Sequence, residues 1–213
     1  MSPAGTVGRY TYRERVMHWL TALTYSYGLL TGFAFYSPHL FWIAQVLGGG
    51  PTSRFWHPIN GVGFLAVAIW MHSVWRRDMA ITEVDKRWLD NVKDYVENRE
   101  DQVPAQDRFN AGQKLFYWLM YYGALALLIT GLVMWFPEYI PFSVAWIRSL
   151  AVLLHLCAAL VTIGGFIIHI YMSLFLVPGS GAAMLFGNVS AAWARNHHRL
   201  WYERVSGQAG SKG

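Results

Sequence analysis

Apolar residues dominate four stretches of this chain, near 16–36, 56–75, 115–136 and 150–176. Each is close to the ~20 helical residues needed to cross a bilayer, so the pattern predicts four transmembrane spans. None is uniformly apolar: polar residues from Thr21 to Thr31 interrupt the first, and Gly164-Gly165 the fourth. Helices with such interruptions face protein or a bound group rather than lipid all round. The loop 76–114 is polar, but Trp88, Leu89, Val92, Tyr95 and Val96 recur in it at helical spacing, with Asp90, Lys93, Asp94 and Glu97 between them. That periodicity predicts a short cytoplasmic helix lying on the membrane surface. Asp101 to Asp107, with Pro104, reads as a linker into the third span, and 177–213 as a cytoplasmic tail. The expected fold is all-α, an integral membrane four-helix bundle, with 1–213 as a single membrane domain.

Charge orients the spans. Three of the 17 Lys and Arg residues precede the first span, eight lie from Arg76 to Lys114, four follow the last span, and only Arg54 and Arg148 stand elsewhere. Positive-inside counting puts both termini in the cytoplasm; the nine acidic residues of the 76–114 loop do not reverse it, because acidic side chains contribute little to orientation. Basic residues distributed by segment, with no single basic stripe, exclude nucleic-acid binding despite a net charge of +5. A composition 54% hydrophobic and 14% charged, with 11 tryptophans, suits a chain with two membrane–water interfaces. The lone Cys157 forms no internal disulfide and matches no thiolate metal spacing. Arg9, Arg13, Glu14 and Arg15 precede an apolar stretch long enough to span and without a small-residue cleavage site, which reads as a retained anchor.

Five of the eight histidines, His18, His57, His72, His155 and His169, fall in or at the edge of these spans. A polar ring in hydrocarbon is costly without a partner, so intramembrane histidines are either bonded to a neighbouring helix or functional. His155 and His169 are separated by roughly 21 Å along a helix and about 40° around it. One helix thus offers two ligands at two depths, His155 outside and His169 towards the cytoplasm. At the outer depth His57 is the one available partner for His155. At the inner depth His18 and His72 both compete for His169, and spacing leaves the choice open. Two stacked imidazole pairs suit haem, whose iron takes one protein ligand on each side of the ring; a structural zinc wants about four ligands at one depth. Glycines 28, 32, 61, 63, 164 and 165 would let a flat macrocycle approach the backbones, or would serve ordinary close packing. The adjacent His197 and His198 do not share a helix face, so a surface or subunit contact is expected rather than a metal site. Trp193, Trp201 and Tyr202 read as interfacial anchors.

The chain resembles the cytochrome b (gamma) subunit of membrane-bound formate dehydrogenases over nearly its whole length. The resemblance rests on Arg15-Val-Met-His18-Trp19, His57-Pro58, Asn110-Ala-Gly112-Gln113-Lys114, His155, His169-Ile-Tyr171-Met172, and a tail through Trp193, Arg195, His197, His198 and Trp201-Tyr202. It implies two haems b, with His57 and His155 on the outer iron and His18 and His169 on the inner one, which leaves His72 a packing or supporting role. It also implies a quinone, menaquinone or ubiquinone, at Asn110, Gly112 and Gln113 beside His169, although Asn followed three residues later by Gln is equally a helix capping box. Further implications are an iron–sulfur beta subunit delivering electrons at the outer face, a molybdenum or tungsten catalytic alpha subunit, assembly as a trimer of heterotrimers as one option, and a bacterial inner-membrane location. Formate oxidation itself belongs to none of these residues. The rival readings are the cytochrome b subunit of a nickel–iron hydrogenase or another periplasmic oxidoreductase, a histidine proton relay, and a haem-free anchor.

Overall fold

The computed structural model describes residues 5–97, 99 and 102–210. In chain order the elements are β1 (Thr6–Gly8), α1 (Tyr12–Tyr36), α2 (Trp42–Val46), α3 (Gly50–Trp75), α4 (Glu83–Asp90), α5 (Val92–Val96), α6 (Ala111–Trp135), α7 (Trp146–Tyr171), α8 (Ser180–Phe186), β2 (Asn188–Ser190), α9 (Ala191–His197) and α10 (Arg199–Gly210). A π-helical turn, Met172–Leu176, continues α7 directly after Tyr171. Among the described residues three helical segments, Gly50–Trp75, Ala111–Trp135 and Trp146–Leu176, are long and apolar enough to cross a membrane. The 25 residues of α1 are as long, but they include Arg13, Glu14 and Arg15 and a run of threonines.

The chain divides into two compact units. One comprises residues up to Arg15, Val74–Trp118 and those from Ile168 onwards; the other comprises Val16–Ser73 and Leu119–Ile167. The second, apolar unit packs Tyr25, Phe64, Ala68 and Ala124 with Leu29, Leu65, Met120, Tyr121 and Phe166. Within it, α6 and α7 approach most tightly at Gly123, where an added Cβ would lie 2.4 Å from Thr162 Cγ2. Between α1 and α3, Asn60 Nδ2 donates to the Thr24 carbonyl at 2.8 Å, a buried amide satisfied across helices.

The first unit is held by polar anchors. Thr11 and Glu14 cap α1: the Thr11 N–H donates to Glu14 Oε2 at 2.8 Å and the Glu14 N–H returns to Thr11 Oγ1 at 3.3 Å. Glu14 also accepts from Trp75 Nε1 at 2.6 Å and from Arg108 at 2.7 Å. Burial alone would raise its pKa, but these bonds and the Arg108 charge hold the carboxyl below its usual range. Arg108 reaches Asp78 at 2.9 Å as well. At the head of α4, Thr82 and Asp85 form a second reciprocal capping box, and Lys114 donates to Asp85 at 2.7 Å and to the Ala80 carbonyl at 3.0 Å.

Five expectations change here. Among the described residues the fold is helical but for one antiparallel strand pair, with Thr6 opposite Ser190, Val7 opposite Val189 and Gly8 opposite Asn188. Three-residue strands so far apart in sequence carry too little period-two pattern to be read. The pair is anchored by Gly187, at φ 84°, whose carbonyl accepts from the Arg9 and Tyr10 N–H groups. The predicted single loop helix is instead two, broken at Asn91, whose side chain donates to the Arg87 carbonyl at 2.8 Å. The apolar side of α4 and α5 buries Trp88 and Tyr95 against Ala111 and Val177 of the same unit.

His198 is not a surface residue: it is 2% exposed, donates from Nδ1 to the Asp107 carbonyl at 2.6 Å and accepts from Arg9 at Nε2 at 2.9 Å. Burial first, then the neighbouring Arg9 charge, hold its pKa well below the usual histidine range, so the neutral ring is the acceptor Arg9 requires. Trp201, expected as an interfacial anchor, is a core residue with Ala183, Val189 and Ala194. Of the predicted linker, Asp101 lies outside the described residues. Its described end is packed rather than loose, since the Gln106 carbonyl accepts from the Leu200 N–H at 3.0 Å and Asp107 pairs with Arg204 at 2.6 Å.

Candidate functional site

Seven residues into α3 stands His57, and nine into α7 stands His155; the apolar unit brings them together with ring centres 6.4 Å apart and planes inclined by 54°. With metal–imidazole nitrogen bonds of about 2 Å, two rings on opposite sides of one metal ion have centres just over ~6 Å apart. The observed separation meets that requirement. Both histidines line a largely apolar cavity of about 1000 Å³, with Phe35, Arg54, Gly61, Leu127 and Trp135 among its walls.

Each ring is oriented by a threonine. His57 Nδ1 lies 2.7 Å from Thr31 Oγ1 of α1, and His155 Nδ1 lies 2.9 Å from Thr130 Oγ1 of α6. Both hydroxyls in turn lie close to carbonyls of their own helix, Thr31 Oγ1 at 2.8 Å from Tyr27 O and Thr130 Oγ1 at 2.6 Å from Ala126 O. The residue after each threonine is glycine. A Cβ at Gly32 would come to 3.9 Å from His57 Cε1, and one at Gly131 to 3.5 Å from His155 Cε1. Both are ordinary van der Waals distances, so the two glycines lie against the rings. Of the glycines named from sequence, Gly61 lines the cavity with nothing within 4 Å of an added Cβ, whereas Gly28 packs on Asn60 at 3.3 Å. A pair of imidazoles at axial-ligand separation, apolar walls and glycines beside the rings fit a flat macrocyclic cofactor.

The other candidates fall in both units. His18 lies in the apolar unit, edge-on to Trp19 at 5.3 Å. His169 lies in the polar unit, stacked on Phe116 at 4.4 Å with planes 5° apart. His72 stacks on Tyr121 at 4.7 Å. Asn110 and Gln113 form the capping box at the head of α6: Asn110 Oδ1 accepts from the Gln113 N–H at 2.9 Å and Gln113 Oε1 from the Asn110 N–H at 3.0 Å. Asn110 Nδ2 is directed to Tyr95 Oη at 3.3 Å. Gly112 sits against Trp88, whose Cη2 would be 3.4 Å from an added Cβ.

Thr31, Thr130 and Gly131 escaped the sequence reading. Their signal was present as a repeated phrase, Leu29-Leu30-Thr31-Gly32 and Leu128-Ile129-Thr130-Gly131, placed 26 residues before His57 and 25 before His155. Without the helix pairing, a threonine in an apolar helix reads as ordinary back-bonding to the preceding turn; Thr162 bonds in that way to the Ala158 and Ala159 carbonyls.

The chain is 35% identical to the cytochrome b556(fdo) subunit of formate dehydrogenase from Escherichia coli K12, over 96% of each chain. It is 29% identical to the nitrate-inducible cytochrome b556(Fdn) subunit of the same organism, over 96% of this chain and 94% of that one. Identity to the cytochrome b556 subunit from Haemophilus influenzae is 32%, over 91% and 81% respectively. The sequence model of one family, the prokaryotic cytochrome b561 proteins, matches residues 9–187, and by that match, together with the length and identity of the relatives, the chain belongs to the prokaryotic cytochrome b561 family.

Proposed function

We propose that this chain is the membrane-embedded cytochrome b subunit of a formate dehydrogenase complex, holding two haems b and carrying electrons from an iron–sulfur subunit at the outer face to quinone near the cytoplasmic face. The observation that carries the reading is the His57–His155 pair, 6.4 Å apart in an apolar cavity. When bound, haem supplies a one-electron couple whose potential depends on its axial ligands and burial. His57 and His155 would hold the outer iron through Nε2, and the apolar walls would exclude water. Arg54, at the cavity lining, offers a cation to the carboxylates of the macrocycle.

In the same reading α1 is the fourth span, both termini are cytoplasmic in a bacterial inner membrane, and His18 and His169 hold the inner iron. Quinone would meet the head of α6. There the cap engages the side-chain oxygens of Asn110 and Gln113, so Gln113 Nε2 is the amide donor to a quinone carbonyl, Gly112 allows close approach, and Asn110 holds the turn in place. The basic segments next to the spans support the orientation, since positive charge stays inside. With electrons entering outside and protons taken up inside, each electron carried inward works against about 2.3 kcal/mol per 100 mV of potential. The molybdenum or tungsten subunit, the iron–sulfur subunit and their trimeric assembly belong to this proposal through the relatives' names and the resemblance alone.

The test is a reduced-minus-oxidised spectrum with a haem count on the purified chain and on His155→Ala. Two b haems in the parent and one in the variant are expected. A folded parent without haem overturns the proposal.

A further inference from the structure

The two outer histidines are served by one device used twice. In each case a threonine hydroxyl stands between an imidazole Nδ1 and a helix carbonyl: Thr31 links His57 to Tyr27 O, and Thr130 links His155 to Ala126 O. A hydroxyl has a single proton. Oxygen–oxygen contacts of 2.8 and 2.6 Å to the carbonyls are attractive only if that proton points at the carbonyl. The hydroxyl oxygen can then only accept from the ring, so Nδ1 carries the proton and the lone pair is on Nε2. A second carbonyl stands near each hydroxyl, Gly28 O at 3.1 Å and Leu127 O at 3.2 Å, which reinforces the assignment.

We infer that Thr31 and Thr130 are matched positioning residues: each fixes its histidine as the Nδ1–H tautomer, aims Nε2 into the cavity, and by accepting the Nδ1 proton strengthens donation from Nε2 to a bound iron. The inference rests on the proposed haem at His57 and His155. Gly32 and Gly131, next in sequence, lie against the same rings, where an added Cβ would meet His57 and His155 at ordinary contact distances of 3.9 and 3.5 Å. The physical effect has a sign. A partner that pulls on the distal N–H makes the imidazole a stronger donor, and stronger donation favours the ferric over the ferrous state. Both axial ligands carry such a partner, so the outer haem is biased towards a low potential from both sides.

The test uses Thr31→Val and Thr130→Val, which keep the branched shape and lose the hydroxyl, with Thr31→Ser and Thr130→Ser as rescuing variants. The readouts are haem content, the midpoint potential of each haem by redox titration, and the low-spin ferric EPR spectrum, which senses the relative orientation of the axial rings. Each valine variant is expected to keep two haems and to raise the outer potential, a tenfold change in the ferric–ferrous equilibrium being ~59 mV for a one-electron couple. The inner haem should not move, and serine should return the parent value. Loss of the outer haem in the valine but not the serine variants also supports the inference, since it shows the hydroxyl is needed to present Nε2.

Unchanged potentials and EPR spectra in both valine variants, with two haems retained, overturn it and leave the proposed function standing. A parent without haem overturns the proposed function instead. Should the valine variants fail to fold, the parent decides: nitrogen NMR of labelled histidine in the reduced, diamagnetic protein must show protonated, exchange-protected Nδ1 at His57 and His155. Rapidly exchanging protons there refute the relay.

Discussion

Lys114 and Asp85 form an ion pair with side chains 6% and 2% exposed, 2.7 Å apart, at the mouth of α6. Lys114→Met removes the charge while keeping the length of the stem. Removing one partner of a buried pair costs roughly 3–5 kcal/mol, because the other charge is left without compensation. Asp85 keeps two bonds of 2.7 Å, from the Thr82 N–H and Oγ1, so the expected loss is at the lower end, about 3 kcal/mol. Lys114→Met/Asp85→Asn should recover most of it, since a neutral amide oxygen still accepts from Thr82 and no charge is stranded. Denaturant unfolding of the detergent-solubilised protein, followed by tryptophan fluorescence, measures the cycle.

The pH dependence supplies a sharper check. In the parent, burial pushes Asp85 up, but Lys114 and Thr82 outweigh it and the carboxyl sits below its usual range. Its contribution is therefore present above the ordinary aspartate value of ~3.9 and is lost as pH falls through the lower folded value. In Lys114→Met the lysine no longer opposes burial, the folded carboxyl rises, and the stranded charge is relieved by protonation. The deficit of the variant should then shrink as pH falls from neutrality towards ~4. A loss below about 1 kcal/mol, as for an exposed pair, or a deficit independent of pH would refute the reasoning.

Three further outcomes follow from the polar unit. His198 is held neutral by burial and by Arg9, so the unfolded chain binds a proton there that the folded chain does not. Stability should be full above the ordinary histidine value of ~6.5 and fall on acidification below it, with a slope of at most about 1.4 kcal/mol per pH unit from this group; unfolding midpoints between pH 7 and 5 that ran flat in the parent would contradict it. Asn110→Ala removes the cap acceptor at the head of α6 and should cost about 1 kcal/mol of stability. If the affinity for a fluorescent quinone analogue, read by quenching of the analogue's own emission on binding, falls far more in Gln113→Ala than in Asn110→Ala, the division of labour between donor and cap holds; equal losses would contradict it.

The helices, their approximate limits and the histidine inventory were legible in the sequence because they are local quantities. Apolar run length, spacing along one helix and the segregation of Lys and Arg need no knowledge of neighbours. The pairing of His57 with His155 was expected from helix spacing in the same way, and the fold brings their rings to 6.4 Å.

What required the tertiary structure was every choice among partners. Thr31 and Thr130 are ordinary back-bonding threonines until α3 and α7 bring an imidazole to each hydroxyl. His198 reads as a surface residue until Arg9, 189 positions away, is found donating to it. Trp201 reads as an interfacial anchor until Val189 and Ala183 close over it. In each case the sequence alone determined the chemical capacity of a side chain, while its state depended on contacts between residues distant in sequence. Those contacts set burial and hydrogen bonding, and through them tautomer and charge.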